Sequence, residues 1–283
     1  MTQCDVVLHR GNSIIQHGHF NNRVYVMKLA PSDIPDIIRY ADDLTHKEGY
    51  TKIFVKVPES SVEIFASSGY ITEATVPFFF HGKEPAVFMA KYTDPKRMED
   101  HDAKIIVDVL SAAFGYAGDR SPQELPEGFV LMHAHAGDAK EIAALFRSVF
   151  ETYPFPVFDA EYIRESMQGQ IRYFVIRKSH LLAAVASCEI DAENLNAEVT
   201  DFATSPLFRG MGFAGTLLHA METELKKEGI LLAYTIARAT SFPINMTFAR
   251  AGYQYGGLLP NNTNIGGAME CMNVWYKKLK AGE

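Results

Sequence analysis

The chain has 283 residues, 47% of them hydrophobic, enough for one large or two ordinary globular domains with buried cores. Its formal charge of −7 leaves no surplus of Lys and Arg to neutralise a phosphate backbone, which argues against nucleic acid as a partner; a small cationic substrate suits the balance better. No apolar run approaches the roughly 20 residues that span a bilayer, and the start, MTQCDVVLHRGNS, lacks the plan of a signal peptide, so the chain reads as cytoplasmic with no membrane partner.

In chain order, KIFVKV, PESSVEIFASSGY, ITEATVPFFF and AVFMAKY read as strand, helix, strand, strand. The charged run KRMEDHD from Lys96 to Asp102 then marks a boundary, DAKIIVDVLSAAF a linking helix, and GDRSPQELPEG a turn-rich end to the link. These divisions give an α/β domain over 1–95, a link over 96–127 and a second domain over 128–283. In the second domain FVLMHAH reads as a strand, AKEIAALFRSVF and AEYIRESMQ as helices, and IRYFVIRK, HLLAAVASCEI and AEVTDFAT as strands. FAGTLLHAMETELKKE follows as a helix, ILLAYTIA as a strand, SFPINMTFARA as a helix, then YQYGGLL and MNVWYKKL as strands. Strands that follow one another without a helix predict a mixed, largely antiparallel sheet flanked by helices.

The first domain mirrors the end of the second in element order, and both carry Phe-Ala-x-x-Gly-Tyr, at Phe65–Tyr70 and Phe248–Tyr253. Two readings stand: a degenerate, non-catalytic repeat, or an unrelated α/β cap. Cys4, Cys188 and Cys271 lack paired spacing, and His17/His19 and His133/His135 lack companion ligands, so neither a disulfide framework nor a metal site is expected. The edge strands leave monomer and homodimer both open.

The stretch RGMGFAGTLL, Arg209 to Leu218, places Gly210, Gly212 and Gly215 ahead of an apolar stripe of Phe213, Leu217, Leu218, Met221 and Leu225, closed by Lys226, Lys227 and Gly229. A glycine turn entering a helix presents free N–H groups and the positive end of the helix dipole, and so suits a phosphate. No acid stands between Ser205 and Gly215, and Arg209 adds a positive charge. A dinucleotide site needs a strand running straight into the first glycine and an acid about 20 residues on. Here SPLFR intervenes and the next strand ends in TIAR, which leaves only a poor NADP reading through Arg238. No Gly-Lys-Ser/Thr follows, which excludes a P-loop. A purely structural glycine turn is the remaining alternative.

The pattern that does match is Arg/Gln-x-x-Gly-x-Gly/Ala, met by Arg209, Gly212 and Ala214. At these residues the chain resembles the GNAT family, the Gcn5-related N-acetyltransferases. The resemblance implies that acetyl-coenzyme A is the ligand. Its contacts would come from Phe202, Ala203 and Thr204 at the end of the preceding strand and from Arg209, Gly210, Met211, Gly212, Phe213, Ala214 and Gly215. Many relatives carry a tyrosine acid four residues before the Gly of a Gly-Tyr or Gly-Phe pair. Here that position is Phe248, expected beside the cofactor but unable to donate a proton, with Tyr253 or Tyr255 as substitutes. Over nearly the whole chain, stretches such as YPFPVFDAEYI, TDFATSPLFRGMGFAGTLL and CMNVWYKKL resemble the β-lysine N-acetyltransferases. That closer resemblance implies acetylation of β-lysine to Nε-acetyl-β-lysine, a compatible solute in osmoadaptation. The alternatives are another amine (a polyamine, an antibiotic or a protein lysine) or a non-catalytic acetyl-coenzyme A sensor.

An amine attacks a thioester only when neutral, and a lysine-type ammonium has a pKa of about 10.4, so a group must take its proton. Glu198 falls where several family members carry a general-base glutamate; a surface salt bridge is its bland reading. Strand alternation puts Glu198 and Thr200 on one face of AEVTDFAT and Val199 and Asp201 on the other. Asp201 is the second candidate, as base or as a contact for the substrate's ammonium. For β-lysine, with two ammonium groups and a carboxylate, the expected contacts are Glu151, Tyr153, Asp159, Arg238 and Asn245, with Asn261, Asn262 and Asn264 behind them. Asn22 and Arg23 in HGHFNNR read as hairpin residues. No Cys or Ser is set as a nucleophile, so direct transfer in a ternary complex is expected.

Overall fold

The computed structural model describes residues 4–118 and 124–279; residues 119–123 of the turn-rich end of the link lie outside the described residues. The first half supplies β1 (Val6–Arg10), β2 (Ser13–Gly18), β3 (Arg23–Lys28), α1 (Asp36–Glu48), β4 (Lys52–Pro58), α2 (Val62–Ser67), β5 (Ile71–Phe80) and β6 (Glu84–Tyr92). Next comes α3 (Ala103–Gly115), which packs on the second half through Ile106, against Ala239 and Cys271. The second half supplies β7 (Phe129–His133), α4 (Ala139–Val149), α5 (Ala160–Gln168), β8 (Ile171–Lys178), β9 (Leu181–Asp191) and β10 (Asn196–Thr204). It ends with α6 (Phe213–Lys227), β11 (Leu232–Arg238), α7 (Phe242–Arg250), β12 (Gln254–Ile265) and β13 (Ala268–Lys278). No helix among the described residues is long and apolar enough to cross a membrane.

The strands form one sheet of 13, ordered β1-β2-β3-β4-β6-β5-β12-β13-β11-β10-β9-β8-β7, with only β3·β4 and β10·β11 parallel. Each parallel pair is joined through a helix, α1 or α6, because a parallel connection must cross back over the sheet. Read outward from the β5/β12 seam, the order β5-β6-β4-β3-β2 is repeated by β12-β13-β11-β10-β9, and α1 and α2 take the places of α6 and α7. The shared Phe-Ala-x-x-Gly-Tyr has the same local geometry in both copies. A glycine with positive φ (Gly69 at 88°, Gly252 at 81°) ends the helix. The tyrosine N–H then bonds back to the phenylalanine carbonyl, at 3.2 Å for Tyr70 and 3.0 Å for Tyr253. The two rings pack edge to face, 5.2 and 5.1 Å apart. This is a helix stop that needs glycine for its left-handed turn and an apolar pair to cover it.

The sheet is strongly curled. Lys56 of β4 donates to the Tyr234 hydroxyl of β11 at 2.9 Å, although five strand spacings separate them, roughly 24 Å in a flat sheet. One face of each half therefore meets the other in a common core that includes Phe54, Phe88, Phe79 and Tyr234, while α1, α2, α6 and α7 cover the outer faces. α4 joins the inner core through Ile142, Ala143, Leu145 and Phe146.

At the seam, β5 and β12 pair only at Ala74 and Gly257. A Cβ on Gly257 would meet the Glu73 carbonyl oxygen at 2.4 Å, so only glycine permits the approach. Beside it lies a buried ion pair: Lys52 Nζ is 3.0 Å from both Glu73 carboxylate oxygens and 2.9 Å from the Pro260 carbonyl of β12, and Tyr92 donates to Glu73. Both charged side chains are almost fully buried, at 0% and 3% exposure. Lys52→Ala leaves a carboxylate buried without its cation and is expected to destabilise the chain by about 3–5 kcal/mol, whereas Lys52→Met combined with Glu73→Leu recovers most of the loss. Urea midpoints of the three chains check this, and a small loss in the single variant would rule out the pair as a seam lock.

Candidate active site

Between β10 and α6 the chain makes a short 3-10 turn at Pro206–Phe208 and then the glycine turn. Gly210 and Gly212 have φ of 83° and 73°, conformations that side chains resist. Gly212 caps α6 without a side-chain hydrogen bond, and no acid stands in the first helical turn. A Cβ at Gly215 would meet nothing within 4 Å, so packing does not explain a glycine there. In a helix interior it costs roughly 1 kcal/mol relative to Ala. What the three glycines achieve is an unobstructed approach to the N–H groups at the positive end of a helix, with the exposed Arg209 beside it. These residues fit the pyrophosphate of a coenzyme.

The strand leading into this turn is broken. β10 pairs with β11 only from Asn196↔Leu232 to Glu198↔Tyr234, although both strands run further. Against β9 its register shifts between Thr200 and Ala203, and Asp201 has φ of 55°. This bulge corrects the alternation expected from the sequence: Glu198, Thr200 and Asp201 all line one cavity, while Phe202 turns to the α6/α7 side and packs on Phe248 at 5.6 Å. Past Glu198 the β11 side of β10 has no ladder partner, which leaves backbone groups of residues 199–204 available to a ligand between the strands.

The cavity, about 490 Å³, lies inside the curl and is walled by both halves. From the second half come Glu198, Asp201, Tyr234 and Tyr153; from the first come Arg23, Tyr25, Phe54 and Lys56. Burial pushes the Glu198 carboxyl up to about 7, against the opposing pull of Lys56 and with repulsion from Glu189 adding to it. Burial also raises Asp201, which accepts hydrogen bonds from Ser187 Oγ at 2.5 Å and from the Tyr153 hydroxyl. Burial works against the charge of Lys56, but Tyr234, Tyr25 and Glu198 outweigh it and hold the ammonium well above its ordinary range. The site thus holds a carboxyl poised near neutrality beside a fixed cation.

Several expected site residues fall elsewhere. Phe248 is completely buried and presents no surface to a ligand, so it is not a cofactor contact. The side chains of Ala203 and Phe213 are also core, which leaves only their backbone for that role. Of the expected substrate residues Tyr153, Asp201 and Asn262 line the cavity, and Glu151, Asp159, Arg238, Asn245, Asn261 and Asn264 do not. Asp159 instead caps α5, accepting from the Glu161 N–H at 2.8 Å, and Glu151 is exposed outside the cavity. Arg238 is paired with Glu270 at 2.6 Å. Asn245 spends its side-chain amide on the Arg238 and Ser241 carbonyls and its oxygen on Asn273 and Trp275, so nothing is left for a substrate. Tyr253 and Tyr255 belong to the outer core and burial raises both hydroxyls, Tyr255 to about 12. Arg23, read from the sequence as a hairpin residue, is a buried cavity wall. Lys56 and Tyr234 were legible only as strand residues, although lysines two either side of Phe54 in KIFVKV already mark one face of an otherwise apolar strand as charged.

The acetyltransferase (GNAT) family model matches residues 139–253, which include the broken strand, the glycine turn and α6. A beta-lysine N(6)-acetyltransferase of Methanococcus maripaludis is 36% identical over 271 residues, covering 96% of this chain and 98% of that protein. N-acetyltransferase YodP of Bacillus subtilis is 31% identical, with 94% and 96% covered. A beta-lysine N(6)-acetyltransferase of Methanosarcina mazei is 32% identical, with 83% and 93% covered. The chain belongs to the GNAT acetyltransferase family, and its acetyl donor is acetyl-coenzyme A.

A carboxyl whose pKa is raised by folding binds its proton more tightly in the folded chain. Glu198 therefore costs stability progressively as pH rises from its unfolded value of about 4.5 to about 7, and the cost is constant above that. Glu198→Gln, which mimics the protonated form, is expected to raise the melting temperature at pH 8 and to change it little at pH 4. Equal shifts at both pH values would show that the folded carboxyl titrates normally.

Proposed function

We propose that this protein acetylates the terminal amine of β-lysine, producing Nε-acetyl-β-lysine in the cytoplasm. The observation that carries the reading is the cavity itself. It is lined by Glu198, Thr200 and Asp201 of the broken β10, the strand that leads towards the coenzyme turn, and mixes carboxyls for ammonium groups with buried cations for a carboxylate. Relatives named for β-lysine over nearly their full length support it. The product carries one ammonium and one carboxylate, so it accumulates without net charge, as a compatible solute should.

Bound acetyl-coenzyme A supplies the thioester. The chain's own residues hold the amine, keep water out and accept a proton. Glu198 Oε takes that proton as the amine attacks, directly or through water, and its pKa near the working pH suits the task. Lys56 favours the ionised form of Glu198, and Asp201, locked by Ser187 and Tyr153, is placed to orient an ammonium. The first half is, in this reading, a degenerate repeat over 1–95 that has lost coenzyme binding. Its link from β3 to α1 reads LAPSDIP, with one acid and no glycine where the second half has its anion turn. The catalytic domain spans 128–283, joined through 96–127.

Release of free coenzyme A is expected with β-lysine and not with α-lysine, spermidine or no amine, with one acetyl group added at the terminal nitrogen by mass analysis. The kcat/KM should rise with pH through an apparent pKa of about 7. Glu198→Gln should lower it by about 100-fold at pH 7 and much less at pH 10, where the amine sheds its own proton. Binding of acetyl-coenzyme A without turnover of any amine would favour a sensor, and turnover of spermidine alone would move the substrate to the polyamines.

A further inference from the structure

Arg23 opens β3, and the alternation of that strand sends Val24 and Val26 to the α1 side while Arg23 and Tyr25 face the cavity. The residue is 3% exposed. Its guanidinium lies over the Tyr25 ring, 5.0 Å from the centroid. One terminal nitrogen donates to the Asn262 carbonyl and to Thr263 Oγ1 at 3.3 Å, and the other reaches Gln16 Oε1 only at 3.5 Å. Nε is buried without any hydrogen-bond partner, as is Asn262 Oδ1 nearby.

No carboxylate oxygen among the described residues lies within 4 Å of this guanidinium. Three other largely buried cations each rest on an acid: Lys52 on Glu73 at 3.0 Å, Arg177 on Asp138 at 2.7 Å and Lys277 on Glu222 at 3.0 Å. Of the other cations that line the cavity, Lys56 is occupied by the Tyr234 hydroxyl and faces Glu198, and Lys28 is paired with Glu193 at 2.7 Å. A buried charge without a counter-ion is costly, and a guanidinium edge with one free and one weakly held N–H matches the two oxygens of a carboxylate. Arg23 and Glu198 stand on facing halves of the curl, close enough for the carboxylate to act on the guanidinium.

We propose that Arg23, supplied by the half that lacks the coenzyme turn, is the carboxylate anchor of the amine site and selects an amino acid over a plain diamine. The proposal rests on the β-lysine reading above and deepens it. The substrate would lie with its carboxylate on Arg23 and its terminal amine at Glu198, so each half of the sheet holds one end.

The test compares β-lysine with its methyl ester and with 1,4-diaminopentane, its decarboxylated counterpart. The unmodified enzyme is expected to prefer β-lysine over the ester by at least about 10-fold in kcat/KM, a measurement that needs no variant. Arg23→Gln should lower kcat/KM for β-lysine by about 100-fold, mainly through KM, and for 1,4-diaminopentane by no more than about threefold. Arg23→Lys, which keeps the charge and loses the fork, should fall between and serves if the glutamine variant does not fold. Equal use of acid and ester, or a loss in either variant shared by both amines, overturns the anchor. Failure of the unmodified enzyme to acetylate β-lysine at all overturns the substrate reading instead, so the two failures are distinct.

Discussion

The break in β10 governs the site. A parallel pair that ran its full length would use the backbone groups of both strands on each other and close the sheet. Here pairing stops at Glu198 and Tyr234, and the bulge at Asp201 bends the strand away from β11. That one irregularity leaves amides free beside the glycine turn, carries Phe202 to the outer core and brings a second acid, Asp201, to the cavity that holds Glu198. The left-handed conformation of Asp201 is unfavourable for an ordinary residue, and hydrogen bonds from Ser187 and Tyr153 hold its carboxylate in place.

The second constraint is the curl, which makes a site out of two surfaces that would otherwise be far apart. The Lys56–Tyr234 contact closes the sheet on itself, and the cavity lies between the two inner faces. Its electrostatics follow from that closure. Burial makes each charge costly, so acids and cations are set to moderate one another: Lys56 restrains the upward shift of Glu198, and Glu198 helps Lys56 keep its proton. A single half could not do this, since Arg23 and Lys56 come from β3 and β4 and Glu198 and Asp201 from β10.

The repeated arrangement about the seam explains how such a site arises from a small set of parts. Both halves use the same run of strand, helix, strand, helix and two strands, and both stop the second helix with the same Phe-Ala-x-x-Gly-Tyr geometry. They differ where the strand enters the first helix. The second half has free N–H groups and three glycines; the first has a proline-rich turn whose Asp33 is held by Ser13 and the Asn12 N–H.

Much of this was legible in the chain itself. Periodicity placed the second-half strands and helices, because each element's buried face is written locally in its own residues. The glycine turn, Arg209 and the apolar stripe of α6 were readable for the same reason: an anion turn is built from neighbours in sequence. Glu198 could be singled out only through the family resemblance, which implies a general-base glutamate at that place before the turn. What the sequence could not show was anything that depends on meeting across distance. Asp201 was put on the wrong face because a bulge is set by the partner strands. Asn245 and Arg238 looked like free polar groups because Trp275, Asn273 and Glu270 reach them only in the folded sheet. Arg23 and Lys56 looked like ordinary strand and hairpin residues because the curl alone brings the first half against Glu198. Local order is determined by neighbouring residues, and the charge balance of a cavity by residues more than a hundred positions apart.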